Sequence, residues 1–247
     1  MSVLSANKIK FIRSLSQKKY RDEHKLFIAE GEKIVEEALC SGYNVKEVYY
    51  EKEIGKDTME RISCLSSPSP VLAVIEKPDF TPDSILHKIA GNNSSGRKPL
   101  YLALDGVKDP GNLGTILRTI DSVGLTQVIV SKKSGDVFNP KVVRSTMGAI
   151  FRVNIIESEN LVNTLKEIKK HKFKVVATSL QTEESIYDID YKKKVIVIGN
   201  EANGVSKEVL EMSDKKVKIP MPGKTESLNA AVATGVILYE YVRQKIN

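Results

Sequence analysis

A chain of 247 residues is long enough for one large domain or two ordinary ones, and 41% hydrophobic with 28% charged side chains is a globular composition, not a disordered one. The formal net charge of +7 favours an anionic partner such as nucleic acid without requiring one. Cys40 and Cys64, with no CxxC spacing and no histidine nearby, argue against a disulfide scaffold or a metal site, and no apolar run approaches a transmembrane span. The basic N-terminus lacks the apolar core of a signal peptide, so a cytoplasmic protein without membrane or metal is expected.

The first 25 residues hold seven Lys and Arg against two Asp and Glu, whereas residues 26–98 hold nine against twelve. The basic leader reads equally as an RNA-facing arm and as a solvated helix face. Gly31 to Leu39 has helical periodicity, with Ile34, Val35, Ala38 and Leu39 on one face, and Val45–Tyr50 and Val71–Ile75 read as short strands. These elements suggest a small α/β domain over 1–92. The polar stretch Gly91–Pro99 follows, with a linker placed at 93–98 and a second domain at 99–247.

Beyond it, strands and helices alternate. Strands are expected at Leu100–Leu104, Val128–Val130, near Phe151–Ile155, at Phe173–Ala177, Val195–Ile198 and Val217–Ile219. Helices are expected at Asn112–Val123, Lys141–Thr146, Leu161–Lys170, Ser206–Met212 and from about Leu228 onward. This alternation predicts a parallel sheet covered on both faces, with any ligand beyond the C-terminal strand ends.

Three segments lie at such ends: LDGVKDPGNLGTILRTIDSVG from Leu104, VIVIGNEANGVS from Val195, and KIPMPGKTESLNAAVATG from Lys218. Each leaves an apolar strand through a glycine- or proline-bearing turn into a helix, which suggests one composite pocket. Familiar nucleotide signatures fail. No GxGxxG follows a strand, and the GKT at Gly223 lacks the earlier glycine of a phosphate loop, because Lys218 stands there.

The stretches NLGTILRT, GNEANGVS and IPMPGKTESLNAAVA closely resemble the three motifs of the SpoU (TrmH) family of RNA ribose 2′-O-methyltransferases, in the SPOUT superfamily. VVRSTMGAIFRV, Val142 to Val153, is similar to the family as well, and NKIKFIRSLSQKKYRDEHKLFIAEGEKIVEEAL resembles its small L30e-like substrate-binding domain. The second motif has Ala202 where many members carry glycine. The resemblance implies an α/β fold whose C-terminal SPOUT domain forms a deep trefoil knot, with S-adenosylmethionine as cofactor. It implies an enzyme that methylates a ribose 2′-hydroxyl, with 23S ribosomal RNA as the expected target and a homodimer as the working form. Transfer RNA as substrate, or a catalytically silent RNA-binding or ribosome-assembly factor, are the alternatives.

The same resemblance assigns Gly199, Asn200, Ile219, Met221 and Leu228 to the cofactor, and Arg118, Asn112, Glu201, Ser227 and Asn229 to the catalytic machinery. By residue type alone, Arg118 is equally a surface arginine, Asn112 a helix cap, Met221 a packing residue and Glu201 an acidic helix-start residue. Pro220 and Pro222 fix φ and remove two donors, Gly223 permits a bend, and Ser227 is placed to cap the last helix. Ala230, Ala231, Ala233 and Gly235 would admit the close backbone approach of a threaded chain or of a helix-paired dimer.

Overall fold

The computed structural model describes residues 4–78 and 100–246, and the linker expected at Gly91–Pro99 lies outside them. The described residues form two compact units. The first joins residues 4–78 to Asp136–Arg152, and the second joins residues 100–135 to 153–246.

In the first unit the order is α1 (Ala6–Ser14), α2 (Lys18–His24), β1 (Leu26–Glu30), α3 (Glu32–Cys40), β2 (Val45–Tyr50), α4 (Glu51–Ile54), α5 (Lys56–Ile62) and β3 (Val71–Glu76). Ser5 caps α1 by accepting from the Lys8 amide at 3.2 Å, and Lys25, left-handed at φ 54°, ends α2. The sheet is antiparallel in the order β1-β3-β2. The central strand is apolar on both faces, which is why Val71–Ile75 reads as a continuous run. Ile12, Leu15, Ile28, Met59, Ile62 and Leu72 pack on one side of it.

Asp136–Arg152 completes this unit. Phe138 and Phe151 bring their rings to 4.9 and 6.4 Å from Phe27, and the Tyr43 hydroxyl donates to the Ile150 carbonyl at 3.2 Å. Arg21 is fully buried. Its guanidinium donates to the Asp136 carboxylate, from Nε at 3.0 Å, and to the Leu15 carbonyl at 2.7 Å. A buried charge of this kind is tolerated only because every side of it is paired. The strand expected near Phe151–Ile155 starts later, at Asn154, because Ala149–Phe151 forms a 3₁₀ turn closed by the Arg152 amide on the Ala149 carbonyl.

The second unit is a six-stranded sheet in the order β6-β5-β4-β8-β7-β9, parallel throughout. Its strands are β4 (Leu100–Asp105), β5 (Gln127–Ser131), β6 (Asn154–Ser158), β7 (Lys174–Thr178), β8 (Lys194–Gly199) and β9 (Lys215–Val217). Its helices are α6 (Pro110–Ser122), α7 (Leu161–Lys170), α8 (Lys207–Met212) and α9 (Ala230–Ile246). β4 and β8 lie side by side at the centre and are buried at every residue. β9 stops two residues before the expected Ile219, since Lys218 makes only an isolated bridge to Ser185 and Pro220 follows. α6 and α9 pack against each other. Among the described residues no helix is long and apolar enough to cross a membrane.

Replacing Arg21 with alanine strands the buried Asp136 carboxylate. The expected loss is about 3–5 kcal/mol in chemical denaturation. Lys132→Ala, which breaks an exposed pair with Glu159, should change stability by less than about 1 kcal/mol.

Candidate active site

Three loops leave the C-terminal ends of the central strands, and polar side chains bind them together. After β4, Asp105 is buried, and its Oδ2 accepts from both the amide and the hydroxyl of Ser206, at 2.8 and 2.6 Å. That fixes the start of α8 against the end of β4. Gly106, at φ 76°, turns the chain and donates its amide to Ser131 Oγ at 3.0 Å. After β8, Asn200 donates to the Gly106 carbonyl at 2.7 Å and accepts from the Ala202 and Asn203 amides. Gly199 has no room for a side chain, because a Cβ there would stand 2.1 Å from backbone atoms of Gly204 and Val205.

The third link runs through Asn112. Its Nδ2 donates to Glu201 Oε1 at 2.8 Å, and its Oδ1 accepts from Asn229 Nδ2 at 2.8 Å. The amide orientation follows from the partner, since the ionised carboxylate can only accept. Asn229 Oδ1 in turn accepts from the Ala231 and Val232 amides and caps α9. Burial raises the Glu201 pKa. The hydrogen bond from Asn112 and the amides of Glu201, Lys108 and Asp109 outweigh it, so the carboxyl lies below its ordinary range.

Beside this chain opens a cleft of about 450 Å³ at the ends of β7, β8 and β9. All five residues assigned to the cofactor by sequence, Gly199, Asn200, Ile219, Met221 and Leu228, line it, as do Glu201 and Ser227. From Ile219 to Leu228 the backbone makes no backbone–backbone hydrogen bond among the described residues, and most of the segment is exposed.

Asn112, Glu201 and Asn229 are thus brought together, and Ser227 lies on the neighbouring wall. Arg118 is exposed on α6 and makes no hydrogen bond or ion pair among the described residues. The helix caps differ from the sequence reading in one expectation, Ser227, and rule out one alternative, Asn112. Asp109, not Asn112, caps α6, with Oδ1 2.7 Å from the Asn112 amide, which frees the Asn112 side chain for the site. Asn229, not Ser227, caps α9, because that helix starts at Ala230. Glu201 sits in the turn after β8 and not at a helix start. Asp105 and Ser206 stand inside the strand-end segments, but nothing in the sequence marked them as site residues. The Asp109-Pro110 pair, a cap followed by proline at the first helical position, was a readable signal for the α6 start.

A parallel sheet whose strand ends carry a ligand-sized cleft flanked by a hydrogen-bonded amide–carboxylate chain defines an α/β enzyme domain. The chain belongs to the SpoU rRNA methylase family, whose sequence pattern matches residues 99–239; the pattern of the MRM3-like substrate binding domain matches residues 6–78. It is 34% identical over 238 residues to the Bacillus subtilis 23S rRNA (guanosine(2553)-2′-O)-methyltransferase RlmP, covering 94% of each chain. Among solved structures, it resembles the AdoMet-bound rRNA methyltransferase from Sinorhizobium meliloti, with a TM-score of 0.86, 32% identity, and 99% and 97% of the two chains covered. It also resembles the SpoU methyltransferase AviRb from Streptomyces viridochromogenes in complex with AdoMet, with a TM-score of 0.84, 26% identity and 99% of both chains covered. Asp136–Arg152 lies inside the methylase match yet packs with the first unit.

Because the Glu201 pKa is depressed, its bonding is fully present above the ordinary value of 4.5 and is lost as the pH falls through the lowered one. In an NMR titration the side-chain amide signals of Asn112 should hold steady from neutral pH down to 4.5 and move only below it. A midpoint above that value would contradict the assignment.

Proposed function

We propose that this protein transfers a methyl group from S-adenosylmethionine to a ribose 2′-hydroxyl of 23S ribosomal RNA. The observation that carries the reading is the meeting of Asn112, Glu201 and Asn229 beside a cleft lined by Gly199, Ile219 and Leu228. Its volume falls in the range of small-molecule sites, roughly 300–1,000 Å³. Ile219, Met221 and Leu228 supply apolar walls for an adenosine, and the unpaired backbone from Ile219 to Leu228 supplies donors and acceptors for a base edge. Asn200 holds the loop that forms the opposite wall.

When bound, the cofactor supplies an already activated methyl group. The protein then has to align the 2′-oxygen and favour its loss of a proton, and alignment alone removes much of such a barrier. Arg118 stays protonated at neutral pH and so cannot accept that proton; it is assigned instead to the phosphate beside the target ribose and to the oxyanion that develops there. The availability of its guanidinium supports this role. Glu201 and Asn229 position Asn112, and Ser227 faces the cleft beside them.

The reading includes a homodimer that brings Arg118 to its site. α9 is apolar on most sides, yet Val232, Tyr239 and Ile246 are 53%, 57% and 79% exposed, a stripe that a second copy would cover. It also includes a trefoil knot, as the family resemblance implies. Residues 1–92 would deliver RNA and 99–247 carry the transfer, joined at 93–98, a division the two family matches support. Free thiols at Cys40 and Cys64 suit a reducing cytoplasm.

Methyl transfer from labelled S-adenosylmethionine to unmodified 23S rRNA tests the proposal. The label is expected as a 2′-O-methyl nucleoside, with kcat reduced about a hundredfold or more in Arg118→Ala and in Asn112→Ala. Transfer to the base, to other RNA alone, or to nothing would overturn it.

A further inference from the structure

The buried arginine of α2 sets the rotation of that helix. Arg21 points inward to Asp136 and the Leu15 carbonyl. Tyr20 and His24, one turn apart, therefore share the outward face. Their rings lie within 8° of parallel with centroids 6.4 Å apart, and Phe11 of α1 meets His24 edge-on at 5.0 Å and 71°. His24 is exposed, while Phe11 and Tyr20 are half-buried and rooted on the core of the first unit. Apolar rooting beneath and an open aromatic face above make a rigid platform.

Cations surround it. Lys8 Nζ lies 5.4 Å from the Phe11 centroid, and Lys19 Nζ lies 5.7 Å from that of Tyr20. Lys10, Lys19 and Lys25 are exposed and have no carboxylate partner among the described residues. The nearby acids are largely engaged: Asp22 pairs with Lys18 and Lys77, and Glu47 with Lys8, leaving Glu23 as the exposed carboxylate. Aromatic faces with Lys8 and Lys19 over the rings, and exposed Lys10 and Lys25 next to Phe11 and His24 in the chain, match a chain that offers planar bases and phosphates together, as single-stranded RNA does. An acidic peptide would satisfy the lysines and leave the rings unused.

We propose that the Phe11–Tyr20–His24 face of α1 and α2 stacks an unpaired base of the RNA substrate, with Lys10, Lys19 and Lys25 on the flanking phosphates. This rests on the RNA reading above and adds to it where, and in what strand state, the RNA is gripped.

The test uses the full-length protein and a short single-stranded RNA carrying 2-aminopurine, whose fluorescence is quenched by stacking. The intact protein should quench the probe and bind the same RNA more weakly once it is annealed to its complement. His24→Ala, at an exposed side chain, should abolish most of the quenching and weaken binding about tenfold. His24→Tyr should restore both, which a merely structural histidine would not show. Lys19→Ala should weaken binding and lower the dependence of log affinity on log salt by about 0.7. Tyr20→Ala should act as His24→Ala does, with its thermal melt recorded because Tyr20 also touches the core.

Equal quenching by the intact protein and His24→Ala, or no quenching at all, overturns the proposal. Methyl transfer to 23S rRNA is measured on the same preparations. An active enzyme that does not quench overturns the stacking site alone, and quenching without transfer overturns the transferase reading while the stacking site stands.

Discussion

Asn112 donates to Glu201 and accepts from Asn229, and through those two bonds segments 89 and 117 residues apart in the chain meet at one point. Backbone ladders cannot do this beyond the strand ends, where each loop has left the sheet. The work falls to side chains that accept and donate at once, and the Asn112 amide carries both functions at fixed geometry. Glu201 stays ionised because Asn112 and three backbone amides favour its charge, so the acceptor end of the chain is permanent at neutral pH.

The rest of the second unit serves that junction. β4 and β8 are adjacent and wholly buried, so the loops that follow Asp105 and Gly199 start side by side. Asp105 then holds Ser206, and Asn200 holds Gly106, each reaching across to the neighbouring loop. Gly199 lets the backbone at Gly204 fold against it, and any larger residue would fill the space that the turn occupies. Among the described residues, the cleft wall from Ile219 to Leu228 makes no backbone–backbone hydrogen bond, between the pairing of Lys218 with Glu184 and Ile186 and the Asn229 cap. Such a wall is held at its ends and left chemically available in the middle.

Much of this was legible in the sequence, and the parts that were not share a cause. Apolar runs such as LYLAL and VIVI announce central parallel strands because both faces are buried. The five residues that the family resemblance assigns to a cofactor all line one cleft. β1 was not legible: Leu26–Glu30 follows a helix that ends on a left-handed lysine, without the glycine that marks such ends. The return of Asp136–Arg152 to the first unit depends on Phe27, Phe138 and Phe151 meeting across more than a hundred residues, and no local pattern encodes that. The caps were misassigned by small shifts of helix start, Pro110 and Ala230 instead of Asn112 and Leu228, which moved the capping duty from one polar residue to another.

The central claim is that the loops after β8 and β9 form one ligand wall with the Asn112 chain behind it. Amide hydrogen exchange with and without S-adenosylmethionine measures this directly. Slower exchange confined to residues 199–204 and 219–228 is the expected result, since those backbone groups would gain partners or lose solvent on binding. Protection elsewhere, or none at a concentration that saturates binding, would contradict the account.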